Sequence, residues 1–392
     1  MADARLAREV IQPDEMLGRL VAFNTVSARS NKLLIDHVAD YLAGHGIIAK
    51  TQISPDGAKA DLIATIGPNE PGGVILSGHT DVVPVEGQDW QSDPFAMRAE
   101  AGRLYGRGTA DMKGFLAVAL ALVPEILAAG LRRPLHLVLS YDEEVGCLGA
   151  PGLIKRFIRD FPNASAAIIG EPTNMKLANA HKGISAFETH ITGKPAHSSN
   201  PDAGVSAISA AAELIGFLQS LAADFKARGG DARFTPPHAT LSVGTMVGGN
   251  AINIIPENCT LGWECRSVTG DEADEALTRT ETHCAETLLP AMRAHAPEAA
   301  IETTRLANVP PLRAGGANAA EELVRRLTGQ NEAGVISFAA EAGLFQEAGI
   351  DAAICGPGSI NQAHQANEYI EVAQLDACAA FLRKLAKWAA GA

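Results

Sequence analysis

No two of the six cysteines are separated by the two residues that a CxxC pair requires. They are Cys147, Cys259, Cys265, Cys284, Cys355 and Cys378. The sequence therefore shows neither the ligand spacing of a zinc ribbon nor a thioredoxin-like redox motif. We expect reduced, buried thiols, as is usual in cytoplasmic proteins.

The chain also lacks a run of basic residues, and its formal net charge is -13. Since nothing in it would neutralise phosphates, no nucleic-acid partner is expected. The most apolar segment, residues 115–130, is interrupted by Pro124 and Glu125 and falls short of the roughly 20 apolar residues that span a bilayer. Residues 1–15 contain no apolar stretch typical of a secretory signal. We therefore expect a cytoplasmic protein without a membrane partner.

Short apolar runs bounded by glycine and proline alternate with helical stretches through the first part of the chain. This alternation predicts an α/β fold with a central mixed sheet that helices cover on both faces. A buried helix is predicted over residues 112–130. The predicted strands are residues 61–66, 73–78, 135–141 and 166–170.

From residue 184 the pattern changes to a βαββαβ order, which is typical of a ferredoxin-like module. These elements are predicted over residues 184–192, 205–223, 239–247, 258–266, 272–294 and 300–306. The simplest account is a first domain of residues 1–180 and 308–392, ending in a helix over 372–390. Residues 181–307 would then be inserted into it as a second domain.

Four segments place metal-ligand residue types where predicted strands end or a helix begins. They are HTDVVP at 79–84, GRGTADMKG at 106–114, DEEVG at 142–146 and GEPT at 170–173. Taken singly, such a histidine is more often an ordinary loop residue, and such an acidic cluster is more often a solvated turn or a helix N-terminus. Their agreement at one sheet edge favours a metal site. Mixed nitrogen and oxygen donors suit Zn²⁺, with Co²⁺ or Mn²⁺ as substitutes.

His79 and Asp81 are two positions apart, so their side chains point the same way along an extended chain. We expect the Asp81 carboxylate to hydrogen-bond the ring nitrogen of His79 that a metal would not use.

Together with AHQANE at 363–368, these segments resemble, in order and context, the M20 family of metallopeptidases and amidohydrolases. The likeness extends from residues 20–27 to near the C-terminus. It implies a zinc-exopeptidase-like catalytic domain with an inserted lid and dimerisation domain, a cis peptide bond after Asp111, and two metal ions. The implied ligands are His79, Asp111 and Glu171 for the first ion, and Asp111, Glu144 and His364 for the second.

The resemblance also implies roles for residues outside the ligand set. Glu143, which precedes a ligand in the same turn, would be the general acid/base, with helix capping as the alternative. His197, in itself a plausible loop residue, would reach the partner subunit's site in a homodimer and stabilise the oxyanion. Asn253 and Arg266 would clasp the substrate's α-carboxylate. A surface ion pair is the alternative for Arg266.

Within the family, residues 337–349 and 354–364 look most like the acetylornithine deacetylases of arginine biosynthesis. This likeness implies hydrolysis of the acetyl amide of N-acetylornithine. Glu341 lies in the segment where succinyl-diaminopimelate desuccinylases usually carry an arginine. An acidic residue there suits a substrate with a cationic side chain. The equal alternative is that Glu341 caps the helix that it opens. Gly356 is counted with the substrate-binding residues. A desuccinylase, an N-acyl amino acid deacylase, a dipeptidase and an inactive binding relative remain the alternatives.

Overall fold

The computed structural model describes residues 10–68 and 70–391. Residues 1–9, part of the segment expected to lack a secretory signal, lie outside the described residues. The chain divides into two compact units. The first comprises the described residues up to Ala180, Leu312–Gly334 and those from Ala340 onward, and the second comprises His181–Pro311 and Val335–Ala339.

Helices and strands alternate along most of the described chain. The helices are α1 (Pro13–Val21), α2 (Lys32–Gly44), α3 (Gly114–Ala121), α4 (Val123–Ala128), α5 (Ala150–Asp160), α6 (Ala207–Arg228), α7 (Asp271–His283), α8 (Leu289–Arg293), α9 (Ala319–Thr328), α10 (Ala342–Glu347) and α11 (Val372–Ala389). The strands are β1 (Lys50–Ile53), β2 (Ala60–Ile66), β3 (Val74–His79), β4 (Arg98–Glu100), β5 (Arg103–Tyr105), β6 (Leu135–Ser140), β7 (Ala166–Pro172), β8 (Ala178–His181), β9 (Ile184–Thr192), β10 (Thr240–Gly248), β11 (Asn258–Arg266), β12 (Ala300–Val309), β13 (Gly334–Ile336), β14 (Ala352–Gly356) and β15 (Tyr369–Glu371).

The larger sheet is mixed and has eight strands in the order β1-β2-β6-β3-β7-β14-β8-β13. Strands β6, β3, β7 and β14 are parallel neighbours, while β1, β2 and β8 pair antiparallel. Leu62 and Leu76 pack against helical residues on one face, and the alternating Ile63 and Ile75 are buried on the other. This burial on both faces confirms the predicted α/β class with a central mixed sheet.

Two details of the predicted elements differ in the structure. The helix predicted over 112–130 begins at Gly114 and is interrupted at Leu122, so it forms α3 and α4. Pro124, which has no N–H to donate, lies in the first turn of α4. Strand β7 runs on through Glu171, which therefore lies within the strand instead of after it. The three-residue strands β4, β5, β13 and β15 were not predicted individually.

The second unit contains a four-stranded antiparallel sheet in the order β10-β11-β9-β12. Its elements follow the predicted βαββαβ order, with α7 continuing through a π-helical turn, Cys284–Leu288, into α8. In its core the rings of Phe187 and Trp263 stack with centroids 4.2 Å apart, and Trp263 Nε1 donates to Thr189 Oγ1 at 3.0 Å. The separate antiparallel unit is thus the predicted ferredoxin-like arrangement.

Helix α6 is long and apolar enough to match a membrane span by length and composition, with a mean hydropathy of 1.2 in its most apolar window. Core helices meet the same criterion. Leu214, Leu218 and Phe225 of α6 are buried in the core of the second unit.

The tight contact between β7 and α3 depends on Gly170, because a Cβ at this position would lie 2.1 Å from the Phe115 ring. We predict that Gly170→Ala lowers the free energy of unfolding by about 1–3 kcal/mol, since the strand or the helix must move. Urea unfolding followed by circular dichroism measures the change. Gly152→Ala is the control: its Cβ meets no heavy atom of the described chain within 4 Å, and alanine favours the helix α5. A Gly170→Ala midpoint equal to that of wild type would contradict the contact.

Candidate metal centre

Three parallel strands deliver polar side chains to one edge of the eight-stranded sheet. His79 is the last residue of β3, Glu143 and Glu144 follow β6, and Glu171 lies near the end of β7. The register pairs His79 with Ser140, the last residue of β6. Carboxyl ends of parallel strands meet at the same edge of an α/β sheet, which is where such folds bind ligands.

The two histidines lie on either side of Asp111. His79 Nε2 is 3.1 Å from Asp111 Oδ1 and 3.7 Å from Glu171 Oε1. His364 Nε2 is 3.3 Å from Asp111 Oδ2 and 3.0 Å from Glu144 Oε2. Each oxygen of Asp111 thus faces one histidine, and each histidine also lies near one of the glutamates that the resemblance implied as ligands. The Asp111–Met112 peptide bond is cis, as was also implied.

Carboxylates crowd this edge of the sheet. Burial raises the pKa of Glu143 and of Glu171 well above the ordinary value, and it raises the pKa of Glu144 to about 7. Glu171 Oε1 is buried without a hydrogen-bond partner among the described residues. Ligand atoms of His79, Asp111 and Glu144 all lie within 4.8 Å of one another, as do those of His79, Glu143 and Glu171. Such a set of nitrogen and oxygen donors fits divalent cations of the zinc type.

The imidazoles partly balance this negative charge. Hydrogen bonds to Asp111 and Glu144 raise the pKa of His364 to about 10. Burial alone would lower the pKa of His79, but the neighbouring carboxylates, Asp111 foremost, raise it well above 6.5. Burial likewise opposes ionisation of Asp111, yet hydrogen bonds with both histidines lower its pKa. Divalent cations would replace the imidazolium protons in this role, because metal binding to histidine releases protons.

Asp81 connects His79 to the turn that carries the glutamates. Its Oδ1 accepts from Glu143 N at 3.1 Å, and its Oδ2 accepts from Glu144 N at 3.3 Å and from Ser27 Oγ at 2.7 Å. The expected carboxylate bond to His79 needs correction. The main-chain oxygen of Asp81 lies 2.9 Å from His79 Nδ1, whereas the nearer carboxylate oxygen is 3.6 Å away. Asp81 still orients the ring, but through its main chain.

Two contacts around the glutamate turn were not anticipated. The ammonium of Lys59 donates to Asp142, the first acid of the turn. The Cys147 thiol donates to Glu143 Oε1 at 3.5 Å. No local pattern signals a lysine 83 positions from its partner. The four-residue spacing of Glu143 and Cys147 is the local sequence signal that indicates the second contact.

The second unit carries three further candidates of the sequence analysis, His197, Asn253 and Arg266. His197 is exposed, and its Nδ1 lies 2.8 Å from Ser199 Oγ. Asn253 is also exposed. The Arg266 guanidinium pairs with Glu264 through Nε at 3.0 Å and Nη2 at 3.3 Å, so it makes the ion pair considered as the alternative.

Glu341 and Gly356 lie in the first unit. Glu341 opens α10 without capping it: its Oε2 accepts from Ser77 Oγ at 3.0 Å, and its Oε1 has no partner among the described residues. Burial raises the pKa of this carboxyl. Gly356 ends β14, where a Cβ would lie 2.0 Å from the main-chain oxygen of Gly170. Only glycine permits this close approach of β14 to β7.

Two histidines and a cluster of carboxylates at the carboxyl edge of an α/β sheet form a set of donors typical of metal-dependent hydrolases. The chain belongs to peptidase family M20/M25/M40, whose family model matches residues 75–388. Membership makes it a metal-dependent amidohydrolase and confirms the resemblance seen in the sequence.

Relatives with assigned activities match nearly the whole chain. It is 32% identical to an acetylornithine deacetylase of Pasteurella multocida over 380 residues, covering 95% of this chain and 96% of that one. It is 36% identical to an acetylornithine deacetylase of Myxococcus xanthus over 375 residues, covering 94% and 95%.

Solved structures share the fold at lower identity. The M20 metallo-carboxypeptidase Sso-CP2 of Sulfolobus solfataricus aligns with a TM-score of 0.76 at 19% identity, over 97% of this chain and all of that one. The YXEP protein of Bacillus subtilis, a dinuclear metal-binding peptidase of the M20 family, aligns with a TM-score of 0.64 at 18% identity, over 99% of each chain. At these identities the likeness concerns the fold alone.

Proposed function

We propose that the chain is a two-zinc deacetylase that hydrolyses N2-acetyl-L-ornithine to L-ornithine and acetate, a reaction of arginine biosynthesis. The observation that carries the proposal is the position of Asp111, with one carboxylate oxygen toward His79 and the other toward His364. The identities of 32% and 36% to acetylornithine deacetylases support the choice of substrate. Six buried free cysteines suit a cytoplasmic enzyme.

The ligands divide into two groups around Asp111. His79, Asp111 and Glu171 would hold the first cation, and Asp111, Glu144 and His364 would hold the second, with Co²⁺ or Mn²⁺ as substitutes for Zn²⁺. When bound, the two cations would supply Lewis acidity that lowers the pKa of a water molecule and polarises the amide carbonyl. Asp81 keeps the His79 ring oriented and fixes the glutamate turn through the amide groups of Glu143 and Glu144.

Glu143 is the proposed general acid/base. Its raised pKa, a consequence of burial, suits a carboxylate that accepts a proton and later returns it. It would take the proton of the attacking water as hydroxide adds to the amide carbon. It would then deliver that proton to the amine nitrogen as the C–N bond breaks, which leaves acetate and the free amine. The Cys147 thiol donates a weak hydrogen bond to Glu143 Oε1 at 3.5 Å, beside the oxygens that would carry the proton.

Roles in substrate recognition are proposed for five residues outside the ligand set. Arg266 and Asn253 would bind the α-carboxylate, Arg266 by exchanging Glu264 for the substrate. His197 would donate to the oxyanion. Glu341, whose Oε1 has no partner among the described residues, would favour the cationic side chain of ornithine. Gly356 would allow the substrate to approach the main chain closely.

Other activities of the family define the alternatives. A succinyl-diaminopimelate desuccinylase, another N-acyl amino acid deacylase or a dipeptidase would use the same metal groups. An inactive binding protein would not need the proton-transfer residue Glu143.

We predict that the Zn²⁺- or Co²⁺-loaded protein hydrolyses N-acetylornithine with a kcat/KM at least about tenfold above that for other substrates, because unmatched polar groups penalise them. The panel comprises other N-acetyl amino acids, succinyl-diaminopimelate and dipeptides. Amine release measures turnover. Preference for one of these compounds would replace the substrate but keep the hydrolase, whereas inactivity on the whole panel would favour a binding role.

We further propose a homodimer formed through the second unit. Strand β10 is an edge of the four-stranded sheet, and it exposes Met246 and Val247. A cavity of about 490 Å³ opens between β10 and α6, with Leu218 and Trp263 in its lining. An unpaired edge beside an apolar hollow suits pairing with a second copy about a two-fold axis.

We predict that His197 acts in the partner subunit's site, so that inactive His197→Ala and inactive Glu143→Ala chains restore activity when mixed. A mixed dimer would hold one site with both residues intact. Subunit exchange is verified by differently tagged chains, and each variant mixed with itself is the control. Continued inactivity of verified mixed dimers would refute action across the interface.

A further inference from the structure

A buried guanidinium joins three loops beside the proposed second cation. Arg107 is 1% exposed. Its Nη1 donates to Glu368 Oε2 at 2.7 Å and to the main-chain oxygen of Gln365 at 3.3 Å. Its Nη2 donates to Gln88 Oε1 at 2.5 Å and to the main-chain oxygen of Pro84 at 3.3 Å. One side chain therefore holds the loops around residues 84–88, 106–111 and 364–368.

Glu368 secures the loop that ends on Asp111. Its Oε2 also accepts from Gly108 N at 3.0 Å, and its Oε1 accepts from Ala110 N at 2.9 Å and from Asp111 N at 3.1 Å. Its main-chain oxygen accepts from Gly106 N at 2.9 Å. Both carboxylate oxygens are thus occupied by donors of the chain, so Glu368 holds the main chain of a ligand and is not itself a ligand.

The same network reaches His364. Gln88 Nε2 donates to the main-chain oxygen of His364 at 2.9 Å, while Gln88 Oε1 accepts from Arg107. Asp111 is therefore held by Glu368, and His364 by Gln88, with Arg107 bound to both. These are the two ligands that the proposed second cation takes from loops instead of from the end of β6.

We propose that Arg107, Glu368 and Gln88 form a positioning clasp that sets Asp111 relative to His364 for the second cation. The inference rests on the proposed two-metal function. A buried ion pair adds little net stability compared with apolar packing, so its contribution here is the placement of ligand-bearing loops. Partners that orient metal ligands typically change metal affinity by 10- to 100-fold when they are replaced.

Glu368→Gln tests the clasp because it keeps the shape but places an amide NH₂ against an N–H donor. We expect the second cation to bind roughly 10- to 100-fold more weakly, and the first cation, which shares Asp111 but not His364, to be weakened less. Competition with a chelator gives both affinities, and the visible absorption of bound Co²⁺ reports the geometry of the second site. Gln88→Ala changes a half-buried side chain and should disturb folding less than a change at Glu368. It should also weaken binding of the second cation more than binding of the first.

Two matched variants separate positioning from folding. Asp61→Asn removes one partner of another buried ion pair, that with Arg156, and should lower Tm while leaving both affinities unchanged. Glu86→Ala is a control in the same loop as Gln88. The Glu86 carboxylate accepts only from Val85 N among the described residues, so its loss should leave the affinities for both cations unchanged.

The outcomes distinguish the clasp from the function on which it rests. Fewer than two cations in the wild-type protein would overturn the two-metal proposal and the clasp with it. Two cations in wild type with unchanged affinities in Glu368→Gln and Gln88→Ala would overturn the clasp alone. Equal weakening of both cations, in step with a Tm loss like that of Asp61→Asn, would also overturn it in favour of a merely structural pair.

Discussion

Repulsion among carboxylates buried at one edge of the sheet is the constraint on which this structure depends. Asp111 and Glu171 are buried and Glu143 and Glu144 are half-buried, so water screens the charges of these neighbouring carboxylates poorly. The chain offsets this cost with imidazoles on either side of Asp111 and with amide groups that fix the surrounding turns. Divalent cations would offset it more completely, because each would add two positive charges beside these carboxylates.

The fold is arranged to keep these groups close. Parallel strands β3, β6 and β7 end at one edge, and α3 packs against β7 at the glycine that precedes Glu171. Loops bring the other ligands: Asp111 from the turn before α3, and His364 from a segment in which its own φ is 63°. Ligands on strands need little further support, whereas ligands on loops need partners such as Glu368 and Gln88.

Sequence patterns predicted the features that follow from regular local spacing of apolar residues, namely the strands and their ends. Apolar runs located β3, β6 and β7, and hence His79 and Glu171, because strand ends follow from composition. The pairing of His364 with Asp111 came only from the family resemblance, since a separation of 253 positions carries no periodic signal. Lys59 and Arg107 were missed for the same physical reason: a buried cation is recognised by its partners, which are distant in sequence. The main-chain contact of Asp81 with His79 depends on the exact path of the chain after β3.

The central claim is that Glu143 transfers protons while its neighbours bind two cations. Metal stoichiometry and turnover, measured together on Glu143→Gln and His364→Ala, test it most directly. The account predicts two tightly bound equivalents with activity lowered by about 10²–10⁴-fold for Glu143→Gln, and one tightly bound equivalent for His364→Ala. Loss of an equivalent from Glu143→Gln, or two equivalents of wild-type affinity in His364→Ala, would contradict it.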